Sequence, residues 1–226
     1  MVILKNMMEL PGLDRLMNLC RRHDLGLKVA PPSPAPIKAG TLVTGLVFDQ
    51  VLAAVYARLG YAVFAAEIPA AGLFLTRYDD TKKKVEEDSR WWSERSREQL
   101  ALPTFIFAGE PMMAYRYATV PELANEQDDQ PVVFIDPYED PYALPIASNV
   151  DRFLDAYSRY LEALLALPNA REEAGLLTFP WGVPDIIGRD GRLVELIHQG
   201  RFDSLMVNAE AQGWARKVVN AGLSRM

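Results

Sequence analysis

Residues 131–165, PVVFIDPYEDPYALPIASNVDRFLDAYSRYLEALL, decide how the rest of the chain is read. Val132, Val133, Phe134 and Ile135 form an apolar run of strand length, rich in β-favouring residues and stopped by Asp136-Pro137. Pro137, Pro141 and Pro145 then make the following residues read as a connection. Ser148, three residues ahead of Asp151, reads as the N-cap of a helix with a carboxylate in its first turn, where the helix dipole favours negative charge. Val150, Phe153, Leu154, Tyr157, Leu161, Leu164 and Leu165 recur at helical spacing and predict one core-facing stripe.

Working outward, residues 11–24 predict a first helix with Leu13, Leu16, Met17 and Cys20 on its apolar face. APPSPAP at 30–36 cannot continue a helix and predicts an extended surface segment. Residues 47–59 predict a second helix with Val47, Val51, Leu52, Val55 and Leu59 inward and Gly60 as its C′ glycine. Strands are expected at 62–65, 72–76, 104–108, 112–119 and 132–135, with an exposed acidic turn at Glu126, Asp128 and Asp129. The charged 80–100 segment, containing Trp91 and Trp92, reads as a surface helix. Helices followed by a run of short strands and a closing helix imply an α+β domain over 1–168, with about five or six short strands in a mainly antiparallel or mixed sheet. Residues 169–226, broken by Gly182, Pro184, Gly188, Gly191 and Gly200, predict a helical C-terminal extension packed on that domain through Phe179, Trp181, Phe202 and Trp214.

The chain has 226 residues, half of them hydrophobic, and a net charge of −6. That acidity disfavours non-specific nucleic-acid binding, which needs clustered cations, and suits a basic protein partner. A lone cysteine, Cys20, excludes an intrachain disulfide framework, and the first residues lack a signal-peptide core, so a cytoplasmic location is expected, with no membrane span.

No phosphate-binding loop, dinucleotide fingerprint, nucleophile elbow or paired-histidine zinc helix is present. Cys20 and His23 share a helix three residues apart, but no second pair completes a metal site, and Cys20 fits the apolar stripe. No metal, cofactor or catalytic group is therefore expected. The loop acids Asp136, Glu139 and Asp140 beside Tyr138 and Tyr142 leave three readings open: a solvated Pro-rich connection, a contact surface for a basic partner, or a carboxylate acid/base site. Adjacent helical residues point about 100° apart, so at least one of Trp91 and Trp92 is a further candidate for partner contact. Met112, Met113, Tyr115 and Tyr117 predict one strand with a core face and an exposed face.

Three pieces together resemble the SUKH superfamily, which includes fungal cell-wall-synthesis regulators of the Smi/Knr type and bacterial toxin-immunity proteins. They are VFDQVLAAVYARLGYAVF, GLFLTRYDD and PVVFIDPYEDPYALPIASNVDRFLDAYSRYL, within residues 40–167. The C-terminal extension and the charged 80–100 insertion depart from the family pattern. The resemblance implies a binding module that neutralises a bacterial toxin by docking onto it. A regulatory scaffold for an endogenous protein and a hydrolase using the loop carboxylates are the alternative readings.

Overall fold

The computed structural model describes residues 8–43, 45–68, 70–76, 102–111, 113–138, 142–168 and 177–224. The expected helix at 80–100, with Trp91 and Trp92, lies outside the described residues, as do Glu139 and Asp140.

Helix α1 (Pro11–Arg22) starts on a proline, which loses nothing at a position whose N–H has no intrahelical acceptor. It buries Leu13, Leu16, Leu19 and Cys20 on one face. Strand β1 (Lys28–Ala30), a small hairpin of β2 (Leu42–Val43) and β3 (Leu46–Val47), and helix α2 (Gln50–Arg58) follow. Then come β4 (Tyr61–Phe64), β5 (Leu73–Leu75), β6 (Phe105–Gly109), β7 (Arg116–Thr119), β8 (Val132–Asp136) and β9 (Tyr142–Ala147). Helix α3 (Val150–Leu165) closes this part, and α4 (Pro184–Ile187), α5 (Gly191–His198) and α6 (Ala209–Leu223) form the C-terminal region.

The architecture is α+β. A seven-stranded sheet runs β1-β4-β5-β6-β7-β8-β9, every pairing antiparallel. It exceeds the expected five or six strands because β1 and β9 add one at each edge. β9 occupies what the prolines mark as a connection. Pro145 is tolerated there because it lies opposite Val133 beside a register shift in the last strand of the sheet. Two expected boundaries also move. Strand β7 begins at Arg116, so Met113 and Tyr115 precede it instead of alternating within it, and Met112 lies outside the described residues. Helix α2 begins after Asp49, which leaves Val47 in β3 and 46% exposed.

Gly60 is the C′ glycine that the sequence predicts, though not in left-handed conformation. The helix ends on Leu59 in extended conformation, and a Cβ at Gly60 would lie 2.5 Å from the Pro31 carbonyl oxygen, so glycine is required by the close pass of the β1 strand end. The N-cap of α3 is Asn149, whose side chain accepts from the Arg152 N–H at 2.9 Å. Ser148 instead donates its N–H to Asp190 at 2.7 Å, tying α3 to the start of α5.

Asp151 works on a different helix from its own. Its two carboxylate oxygens accept the Gly12 and Leu13 N–H groups, each at 3.0 Å, and so cap α1 from the first turn of α3. The helices touch there: a Cβ on Gly12 would lie 2.0 Å from the Asp151 carbonyl oxygen. Arg15 continues the seam with ion pairs to Asp155 at 3.3 Å and Glu162 at 2.6 Å. From its other face α3 sends Phe153 against Phe107 and Tyr117 on the sheet, at ring separations of 5.8 and 4.8 Å.

The C-terminal region joins the same continuous core. Phe179, 4% exposed, packs against Tyr117, Phe153, Tyr157 and Tyr160, and Phe202 and Trp214 are also buried. The Trp214 indole N–H donates to the Pro180 carbonyl at 3.4 Å, and the Ala143 N–H on β9 donates to Leu205 at the same distance.

Candidate functional site

The ends of β6 and β8 and the segments that leave them open into a cleft of about 830 Å³, within the size range of ligand sites. Asp136, Tyr138 and Tyr142 line it, three of the sequence candidates brought together. Glu110, Met113 and Tyr115 come from the β6–β7 connection, and Phe179, Trp181 and Glu210 from the C-terminal region. The site is therefore shared between the sheet and the extension.

Of these candidates, the described ones differ in exposure. Asp136 is only 9% exposed and Tyr142 7%, while Tyr138 is 49% exposed at the rim. One Asp136 oxygen accepts the Tyr138 N–H at 3.0 Å, which fixes the turn after β8. The Tyr138 hydroxyl in turn accepts the Ala114 N–H at 3.2 Å. Tyr142 is held by the Trp181 indole N–H, which donates to its hydroxyl at 3.2 Å.

An aromatic shelf runs along the same wall. The Tyr115 ring meets Tyr138 edge-on at 5.6 Å and Trp181 at 5.4 Å, and Trp181 also meets Phe134 at 4.6 Å. Such edge-to-face contacts hold the rings in fixed orientations.

Glu110 is the described carboxyl raised to the highest value. Burial pushes it up to about 7, against the opposing effect of the Tyr117 hydroxyl, which donates to it at 2.6 Å. Burial also raises the Tyr115 phenol, with Asp136 and Glu110 adding to the rise. Tyr142 is pushed up to about 12 by burial, then by Asp136 and Glu210, against the Trp181 hydrogen bond. The nearby Arg116 guanidinium is engaged by the Met113 and Tyr115 carbonyls at 3.1 and 2.8 Å.

A second cleft, about 470 Å³, lies among the C-terminal helices and mixes Asp203 with His198 and Arg216, without the aromatic lining. Buried Asp49 is explained by structure. Its oxygens accept the Leu52 N–H at 2.6 Å and the Gln130 N–H at 3.0 Å, capping α2 and anchoring the turn before β8, while burial raises it to about 6.

Cys20 is 1% exposed, its thiol raised by burial, as a core cysteine should be. Among the described residues no group of three His, Cys, Asp or Glu side chains is placed to hold a metal ion. Nor is any described helix long and apolar enough to cross a membrane.

The sequence reading missed Glu110, Trp181 and Glu210 as members of this site. Glu110 follows β6 and reaches the site through the pairing of β6, β7 and β8, whereas Trp181 and Glu210 are brought to it by the docking of the C-terminal region. Comparison with protein-family models, curated proteins and solved structures finds no match to the chain.

Proposed function

We propose that the chain is a non-enzymatic protein-binding module. We further propose that it acts as an immunity protein, neutralising a cognate bacterial toxin by covering the toxin's active site. One observation carries the binding part: an acid-lined cleft with an aromatic shelf and an exposed tyrosine at its rim, on a chain of net charge −6. Tyrosine and tryptophan supply rigid contact area, and the negative potential speeds encounter with a basic partner while rejecting acidic ones. The immunity part rests on the resemblance of residues 40–167 to the SUKH superfamily, and a cytoplasmic location is part of the proposal. The runner-up within the binding class is a scaffold that holds an endogenous protein without inhibiting it.

Co-expression with the product of a toxin gene adjacent to its own tests this reading directly. Rescue of growth together with a stable isolated complex is the expected result. Binding to a host protein with no rescue would favour the scaffold, and neither rescue nor binding would remove both.

A hydrolase is a second reading, favoured by one specific feature: Glu110, held near 7, shares the cleft with Asp136. It predicts turnover of a glycoside or ester that Glu110→Gln abolishes. Absence of turnover across a substrate panel leaves the binding reading in place.

A further inference from the structure

The described residues lining the 830 Å³ cleft include three carboxylates, Glu110, Asp136 and Glu210, and no lysine, arginine or histidine. Beside them stand Tyr115, Tyr138 and Trp181 in mutual contact. Carboxylates attract any cation, but aromatic faces attract organic cations in particular, through the ring quadrupole and through contact with the alkyl stem. An inorganic divalent ion needs converging oxygen ligands at close range, and no such group occurs among the described residues. The cleft also exceeds a lone ammonium group and suits a short segment of chain.

We infer that the cleft is a receptor for an organic cation, the lysine or arginine side chain of a loop on the protein partner. This rests on the protein-binding reading above. Asp136 and Glu210 supply the counter-charge, and the shelf of Tyr115 and Trp181 supplies the face on which the stem and head group lie.

Glu110 adds a signature that a neutral ligand cannot imitate. Burial raises it to about 7. The groups around it are Tyr117, which donates to it, then Tyr115 on its own connection and Tyr157 and Tyr160 on α3. Asp136, Tyr138, Tyr142 and Glu210 complete the walls from β8, β9, the loop between them and α6. Burial raises the Tyr115, Tyr117, Tyr157 and Tyr160 phenols, so they keep their protons through neutrality. An arriving cation favours the ionised form of Glu110. Capture therefore releases a proton and tightens as pH rises through about 7.

The test is calorimetric titration of the full chain with a capped pentapeptide of four glycines around a central arginine. Lysine and glutamine versions and the neutral sugar cellotetraose serve as comparisons, between about pH 6 and about pH 8. The basic peptides should bind at least about tenfold tighter than the glutamine peptide, and tighten by up to about tenfold across that range. Asp136→Asn combined with Glu210→Gln should weaken them at least about tenfold, and Glu110→Gln should flatten the pH dependence. Asparagine at 136 keeps the acceptor for Tyr138, and circular dichroism verifies folding of each variant.

Equal binding of the arginine and glutamine peptides overturns the inference. So does cellotetraose binding that is insensitive to the charge variants, which would mark a carbohydrate site. If a protein partner binds wild type and the double variant equally well, the cation receptor fails while the protein-binding reading survives. If the basic peptides bind but no protein partner is captured, the assignment to a partner's loop falls together with the protein-binding reading.

Discussion

Replacing glycine by alanine inside a helix ordinarily stabilises it by about 0.5–1 kcal/mol. At Gly12 the structure demands the opposite sign. The added methyl would lie 2.0 Å from the Asp151 carbonyl oxygen and 2.9 Å from the Asp155 backbone nitrogen. Those are backbone atoms of α3, so no rotamer change relieves the clash and the helices must separate. Overpacking of that kind costs roughly 1–3 kcal/mol. Separation also stretches both 3.0 Å bonds from the Gly12 and Leu13 N–H groups to Asp151, whose loss leaves buried donors unpaired at about 1–3 kcal/mol each. Gly12→Ala should therefore destabilise by about 2–4 kcal/mol, a midpoint shift on the order of 10 °C for a chain of this size. Asp151→Ala, which removes the acceptors and leaves the helices their spacing, should cost about 2–3 kcal/mol. Because both substitutions act on one contact, the double variant should lose less than the sum, with a coupling of about 1 kcal/mol or more. Urea unfolding followed by circular dichroism measures all three. A stabilised Gly12→Ala, or strict additivity with Asp151→Ala, would refute the close α1–α3 approach.

Stability should fall as pH rises through the weakly acidic range, the reverse of a fold held by surface salt bridges. Asp49 and Glu110 keep protons in the folded chain that the unfolded chain releases at their ordinary values of 3.8 and 4.5. Each contributes in full below its ordinary value and loses that contribution as pH climbs through about 6 for Asp49 and about 7 for Glu110. Each loss is on the order of 3 kcal/mol and the two together on the order of 6 kcal/mol, and Glu110→Gln should flatten the upper part; a urea midpoint rising from pH 5 to 7.5 would contradict this. Asp49→Ala should cost about 2–3 kcal/mol through the lost cap of α2 and the stranded Gln130 N–H, and a thermal shift under about 2 °C would show that anchor to be dispensable. Phe179→Ala should cost about 3–5 kcal/mol and raise hydrogen exchange in the C-terminal helices and in Tyr157–Leu161 together. Exchange confined to the C-terminal helices would mean that they hold themselves together without the shared core.

The three long elements that frame the sheet were legible because their apolar stripes are regular. Leu13, Leu16 and Cys20 on α1, Val51, Leu52 and Val55 on α2, and the Phe153-to-Leu164 stripe on α3 are all buried as their spacing requires. What escaped was non-local. β9 hides behind Pro145, since a proline that disqualifies a central strand is harmless at an edge beside a bulge. Asp151 carries the local signature of a first-turn acid, and nothing near it in the chain reveals that its partners are Gly12 and Leu13. Of the described candidate site, Asp136, Tyr138 and Tyr142 were visible in the sequence. Glu110 and Glu210 carry no motif of their own, and Trp181 reads first as a packing anchor.

Because Trp181 and Glu210 belong to the C-terminal region while Asp136 and Tyr115 belong to the sheet, whatever fills the space between them grips two separately encoded pieces at once. Occupancy then acts as a brace, protecting the junction from proteolysis and raising the midpoint of unfolding with ligand concentration. Under the proposed binding role, selectivity also becomes joint property: a lineage cannot trade its terminal helices for others without rewriting what it recognises.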